Sequence, residues 1–274
     1  MKVLTIQSIN GGSGKSTLAC LLAKYAAKQG KKVCLVDCDF ICQGLRGYLI
    51  LEHEPESSLT QMAFAERNPH PELLGVYMDK DPGSQFQVIF SHSLDWEQNR
   101  HMQSIVGREP QMPFMWGRVQ VVLDWLHGQN YDLVILDASP NFSHLNHGLR
   151  EMATNILVLM TPDRQVIHGT FKYLLPREDS YGDALVWVEG KSHLALNCWN
   201  PDRPSTLPVL LDALNWPDKN RASILALEPD YSLIPRCQQT ARIFGLEASG
   251  YLPTITEDYP VTPFLSSYYR SLLS

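Results

Sequence analysis

A chain of 274 residues, 44% hydrophobic and 19% charged, has the balance of a globular protein and enough length for a sizeable core. Its formal net charge of −6 argues against binding a polyanion through bulk charge, although a local basic face stays open. No apolar run approaches membrane-spanning length, and the amino terminus enters a strand at once, leaving no room for a signal peptide. The six cysteines (Cys20, Cys34, Cys38, Cys42, Cys198, Cys237) form no metal-spaced pair, which points to core thiols in a reduced, cytoplasmic setting.

In chain order, Val3-Leu4-Thr5-Ile6 is a short apolar run suited to a buried strand. Asn10-Gly11-Gly12-Ser13-Gly14-Lys15-Ser16-Thr17 follows, and residues 18–26 have helical composition. Strand, glycine turn, then helix is the context that a phosphate-binding loop requires. Gly11, Gly12 and Gly14 let backbone N–H groups close around phosphate oxygens, because no Cβ blocks the approach. Lys15 would reach the terminal phosphates and the Ser16 hydroxyl would ligate Mg2+. The positive end of the following helix adds to the attraction. The general Gly-x4-Gly-Lys-Ser pattern has glycine where this chain has Ile9, so the loop is a variant. A glycine turn that binds nothing is the alternative, and the flanking strand and helix argue against it.

Residues 32–37 form a second buried strand that ends in carboxylates, Asp37 and Asp39. Residues 51–85 are rich in Pro, Glu and His, hold one short helical pattern over 59–66, and read as a variable surface region. A third strand is predicted over 85–90. An amphipathic helix follows over 114–127, with Val119, Val122, Leu123 and Leu126 on one face. Residues 133–137 are the strongest strand and also end on a carboxylate, Asp137, with further strands over 156–160 and 194–197. No linker-like composition divides residues 1–274. They read as one domain, an α/β fold with a mostly parallel sheet, helices on both faces, and a ligand site at the carboxyl ends of the strands.

A carboxylate at the end of an apolar strand beside a phosphate loop would hold Mg2+ through water. For any one aspartate a turn or helix cap is the common alternative, but Asp37, Asp39 and Asp137 together favour a site. His144 and His147 lack a third ligand and read as solvated or satisfied side chains. The Tyr268-Tyr269 pair reads as packing.

With these pieces in order the chain resembles the ParA/MinD family of deviant-Walker ATPases over nearly its whole length. The likeness lies in the Gly-Gly-x-Gly-Lys-Ser-Thr loop, in Asp37-x-Asp39, and in the Walker B segment from Tyr131 to Pro140. It continues in Asn197 at a strand end, in Ile234-Pro235-Arg236 before a helix reaching Ala241 and Gly245, and in a closing helix over 259–273. The resemblance implies an ATP-sandwiched homodimer whose slow, partner-stimulated ATP hydrolysis drives cycling on and off a surface. By position it implies that Lys15 binds phosphate, Ser16 ligates Mg2+, and Asp37 and Asp137 hold the metal's waters. Asp39 corresponds to the carboxylate that positions the attacking water, and Asn197 and the segment after Pro235 to the adenine-reading positions. The family's signature lysine falls at Asn10, whose amide carries no charge. Carboxysome-positioning relatives of the McdA type lack this lysine too. Arg150 is a candidate substitute cation, although that residue alone reads more readily as an ordinary solvated arginine.

Four functions fit to different degrees. A partition or positioning ATPase on nonspecific DNA, stimulated by an adaptor protein, would use Arg236, where DNA-binding relatives place an arginine, with Arg242, Lys219 and Arg221; each of these alone reads equally as a solvated surface cation. A MinD-like membrane cycle would need a basic amphipathic carboxyl terminus, whereas residues 263–273 offer only Arg270. A tyrosine kinase of this fold would need a richer tyrosine cluster than Tyr268-Tyr269. A metal-cluster or secretion assembly factor stays open.

Overall fold

The computed structural model describes residues 1–40, 45–46, 49–52, 55, 57–64, 74–77, 79–80, 82–91, 112–140, 144–174, 190–200, 207–213, 215, 231–237 and 252–273. The strongest apolar runs become its central strands. β1 (Lys2–Gln7) lies between β5 (Leu133–Ala138) and β6 (Asn155–Met160), and β2 (Val33–Cys38) pairs with the other edge of β5. With β3 (Gly75–Tyr77), β4 (Phe86–Ile89), β7 (Ser192–Trp199) and β8 (Tyr231–Pro235), they form one sheet in the order β3-β4-β2-β5-β1-β6-β7-β8. Every pairing is parallel except that of β3 with β4. A run buried on both faces is what a parallel sheet with helices on either side demands.

Strand alternation decides what faces where. Leu4 and Ile6 of β1, Val33 and Leu35 of β2, and Leu133 and Ile135 of β5 pack beneath α1 (Lys15–Lys28) and α7 (Thr262–Leu273). Val3, Cys34, Val36, Val134 and Leu136 pack on the opposite face, beneath α2 (Leu59–Phe64), α3 (Met112–Gly128) and α4 (His144–Met152). α5 (Arg164–Leu174) and α6 (Leu207–Ala213) complete the described helices. Asp163 caps α5, its Oδ1 accepting the Gln165 and Val166 N–H groups. The α3–α4 contact requires a glycine, because a Cβ at Gly148 would lie 2.3 Å from the Trp116 indole.

α1 also binds the carboxy-terminal segment. Lys24 is buried against Asp79 at 2.6 Å and donates to the Leu252 carbonyl, and Lys28 donates to the Ile255 carbonyl at 2.9 Å. Tyr25 meets Tyr269 edge-to-face, with ring centroids 5.6 Å apart. Tyr268 and Tyr269 are both buried, so the pair packs as expected.

Two strands escape the sequence reading. β3 lies within residues 51–85, where only one helical pattern is expected, and it forms the sheet's antiparallel edge; a 3-10 turn over Pro82–Ser84 follows it and lies against α1. β8 covers Tyr231–Pro235; its terminal proline is tolerated at a strand end on a sheet edge. The closing helix starts at Thr262 rather than at residue 259. The helix expected to reach Ala241 and Gly245 lies outside the described residues, as do Cys42, Lys219, Arg221 and Arg242.

Candidate functional site

The carboxyl ends of β1, β2, β5, β7 and β8 carry the polar residues singled out in the sequence. β1 stands where the chain reverses its direction of travel across the sheet, and the loop after it runs from Ser8 to Gly14. Asn10, Gly11 and Gly12 are exposed on the loop's rim, while Ser13 and Lys15 are buried. Gly12 and Gly14 have φ of +74° and +88°, a left-handed backbone that glycine adopts without strain. Gly14 occupies the cap position of α1 with no side-chain cap and no acidic residue in the first turn, so Lys15, Ser16 and Thr17 open the helix at an undressed positive end.

A residue not singled out in the sequence organises this loop. Ser8 is fully buried; its hydroxyl donates to the Asn10 carbonyl at 2.7 Å and accepts from Ser13 Oγ at 2.7 Å and from Lys15 Nζ at 3.0 Å. One O–H and two lone pairs are thereby all engaged. The signal for it is only the polar residue directly after an apolar strand, which any loop could supply.

Asp37 of β2 and Asp137 of β5 are register partners on adjacent strands and project from the face that α1 covers. Both are buried. Asp37 accepts the Asp39 N–H at 2.9 Å and the Ser91 hydroxyl at 3.1 Å. Burial, then the neighbouring Asp137 carboxylate, pushes the Asp37 acid up to about 8. Burial raises Asp137 to about 6, opposed by the Ser16 hydroxyl and the Lys15 ammonium. One oxygen of Asp137, Oδ1, is buried without a hydrogen-bond partner. Two carboxylates forced together, one with an orphaned oxygen beside a lysine and a serine, fit a hard cation that keeps its water shell. Asp39 follows, half-buried.

From β7, Asn197 reaches the loop: its Nδ2 donates to the Ser13 carbonyl at 2.8 Å. Pro235 ends β8, and Arg236 is exposed immediately after it, its N–H bound to the Trp199 carbonyl at 2.8 Å. A cleft of about 760 Å3 opens there, lined by Arg236, Thr254, Thr256, Asp258 and Tyr259 among others.

Arg150 is not the solvated arginine allowed for in the sequence. It is 5% exposed, and its guanidinium lies 3.4 Å from both Gln7 Oε1 and His147 Nδ1. Burial lowers it to about 10. Gln7 in turn donates to the Asn146 carbonyl at 3.2 Å, and Asn146 Nδ2 to the Ser139 carbonyl at 2.9 Å. This network lies on the α4 face, turned away from Asp37 and Asp137, because Gln7 alternates with Ile6. His147, half-buried beside Arg150 and Trp116, is a satisfied side chain as expected.

With this geometry in view, comparison with known proteins is informative. The chain aligns over 186 residues at 25% identity with a protein of Rhizobium rhizogenes named "Putative replication protein A"; the match spans 59% of this chain and 40% of that protein. Its fold is that of several solved ATPases. These are the cell division ATPase MinD of Pyrococcus furiosus (TM-score 0.64, 17% identity, 99% of each chain), and an ATP complex of a Cyanothece McdA point variant (TM-score 0.64, 17% identity, 100% of this chain and 96% of that one). A ParA family ATPase of Chlorobium tepidum shares it as well (TM-score 0.59, 14% identity, 97% and 98%). A family model described as AAA domain (AAA_31) matches residues 1–176, a span holding the loop, Asp37, Asp39 and Asp137, and the chain belongs to this family.

Proposed function

We propose that this chain acts as a single ATPase unit that binds MgATP and dimerises in that state. In this reading it positions or partitions a cargo by cycling on nonspecific DNA under an adaptor protein. The observation that carries the nucleotide part is the orphaned Asp137 oxygen beside Ser16 and Lys15, under the uncapped end of α1. Lys15 neutralises the terminal phosphates, and the loop N–H groups hold their oxygens. Ser16 would ligate Mg2+, and Asp37 and Asp137 would hold its water. When bound, that ion offsets negative charge on the phosphate oxygens. Asp39 orients the attacking water, and the cleft beyond Pro235 takes the base.

Asn10 presents an amide where the resemblance leads one to expect the partner-reaching lysine, and Arg150 is enclosed within its own chain. ATP-driven association therefore rests on fewer crossing charges. Gel filtration with MgATP, ADP or no nucleotide, followed by plasmid DNA, tests the reading. A dimer that forms only with MgATP and then retains duplex DNA is expected. A strict monomer at high MgATP would sink the sandwich, and an ATP dimer indifferent to DNA at low salt would remove DNA as the track.

Membrane cycling is less well supported. The apolar face of α7 is committed to the core through Phe264, Leu265, Tyr268, Tyr269 and Leu272. The buried tyrosine hydroxyls likewise disfavour a self-phosphorylating kinase.

A further inference from the structure

Ser13 is held from two sides. Its hydroxyl donates to Ser8 Oγ at 2.7 Å, and its carbonyl accepts from Asn197 Nδ2 at 2.8 Å. The Asn197 side chain is itself fixed. The β7–β8 register slips between Leu196 and Trp199, and Cys198 turns into the left-handed region with φ of +58°. That turn brings the Cys198 N–H onto Asn197 Oδ1 at 2.9 Å. With the oxygen occupied there, the amide nitrogen faces the loop, an orientation set by the hydrogen-bond network. The approach is so close that a Cβ at Gly14 would lie 2.3 Å from Nδ2. Asn197 is 8% exposed and Ser13 2%.

We propose that Asn197 is a positioning residue of the phosphate loop, acting with Ser8 to hold the Ser13 main chain in its ligand-ready curve before any phosphate arrives. This deepens the nucleotide reading given above and rests on it. The reasoning is one of preorganisation: a loop that must be ordered during binding gives up affinity that a preformed one keeps. A left-handed turn at a non-glycine residue is uncommon, and here its result is to aim one amide at one carbonyl. An asparagine that reads only the base leaves phosphate affinity unaltered when removed. A brace on Ser13 alters it whatever base is attached.

The test uses the full chain and displacement of a fluorescent ATP analogue by ATP, by inosine triphosphate and by inorganic tripolyphosphate, all with Mg2+. Asn197→Ala is expected to weaken the three competitors by a common factor of about 3–10, the worth of one ordinary hydrogen bond. Asn197→Asp, which keeps the volume and the Cys198 bond but turns a carboxylate toward the Ser13 carbonyl, is expected to weaken them at least as much. It carries the test alone if Asn197→Ala does not fold. Ser8→Ala should shift all three in the same direction. A loss confined to ATP, with inosine triphosphate and tripolyphosphate unchanged, would overturn the proposal, and so would a lowered melting temperature with every affinity unchanged. If the parent chain binds none of the competitors, the nucleotide reading fails and the brace falls with it. If the parent binds and the variants match it, the brace alone fails.

Discussion

Two clusters of buried polar groups, one on each face of the sheet, are treated in opposite ways. On the α1 face, Asp137 keeps an oxygen without a partner, Asp37 and Asp137 crowd each other, and α1 begins with no cap. On the α4 face, Ser139, Asn146, Gln7, Arg150 and His147 are linked in that order by hydrogen bonds, closing the arginine off from solvent. Buried polar groups that satisfy each other stiffen a fold; groups left open cost stability unless something arrives to complete them. The contrast separates the face proposed to bind from the face that braces, only a residue apart on β1.

The largest effect should come from the open face. If Lys15 carries the proposed contact to the terminal phosphates, Lys15→Ala should cost on the order of 2–4 kcal/mol, about 30- to 1000-fold in ATP affinity. Calorimetric titration with MgATP measures it, and near-parental affinity would dissolve the distinction between the faces. If Asp39 orients the attacking water as proposed, Asp39→Ala should bind ATP and keep the proposed ATP-state dimer while turnover falls by about 100-fold or more. Equal turnover would transfer that role to Asp37. Asp137→Ala should instead weaken binding only when Mg2+ is present.

Changes on the closed face should move stability and spare the ligand. Gly148→Ala sets a methyl group against Trp116 and should cost about 1–3 kcal/mol through overpacking. Arg150→Ala strips Gln7 Oε1 of its donor and should cost about 1–2 kcal/mol. Denaturant titration reads both losses, and ATP affinity should stay within about twofold in each. An ATP dimer that disappears in Arg150→Ala while stability is intact would move Arg150 to the interface.

Sequence made the open face legible and the closed one nearly invisible. The loop at residues 10–17 is a local pattern, and an apolar run such as 133–137 buries on both faces wherever it lands, so Asp37, Asp137 and Lys15 could be named from spacing alone. Arg150 could not. An arginine in the last turn of a helix normally faces water, and only the packing of α4 against Gln7 encloses it. Ser8 and the Asn197–Ser13 bond are contacts across 5 and 184 residues, for which a single sequence has no period to read. β3 has three residues and β8 ends in proline, so neither carries enough pattern to stand out.

The smallest effect is a slope with pH, and it sharpens the same contrast. Asp37 is raised from an ordinary 3.8 to about 8 in the folded chain. Between those values the native state holds a proton that the unfolded chain has released, so stability should fall as pH rises through that window and level off above about pH 8. One such proton is worth at most about 1.4 kcal/mol per pH unit. Asp137, raised to about 6, adds to the lower half of the window. In the proposed site MgATP binds with both carboxylates ionised, so the stabilisation that ligand brings should grow across the window in which the free protein weakens. Asp37→Asn has no proton to lose and should show a shallower decline, becoming more stable than the parent near pH 8 without ligand. Melting temperatures from pH 5 to 8, with and without MgATP, give the comparison, and parallel slopes for parent and variant would mean that the Asp37 carboxyl is ionised in the free protein and that the open face is less strained than its burial implies.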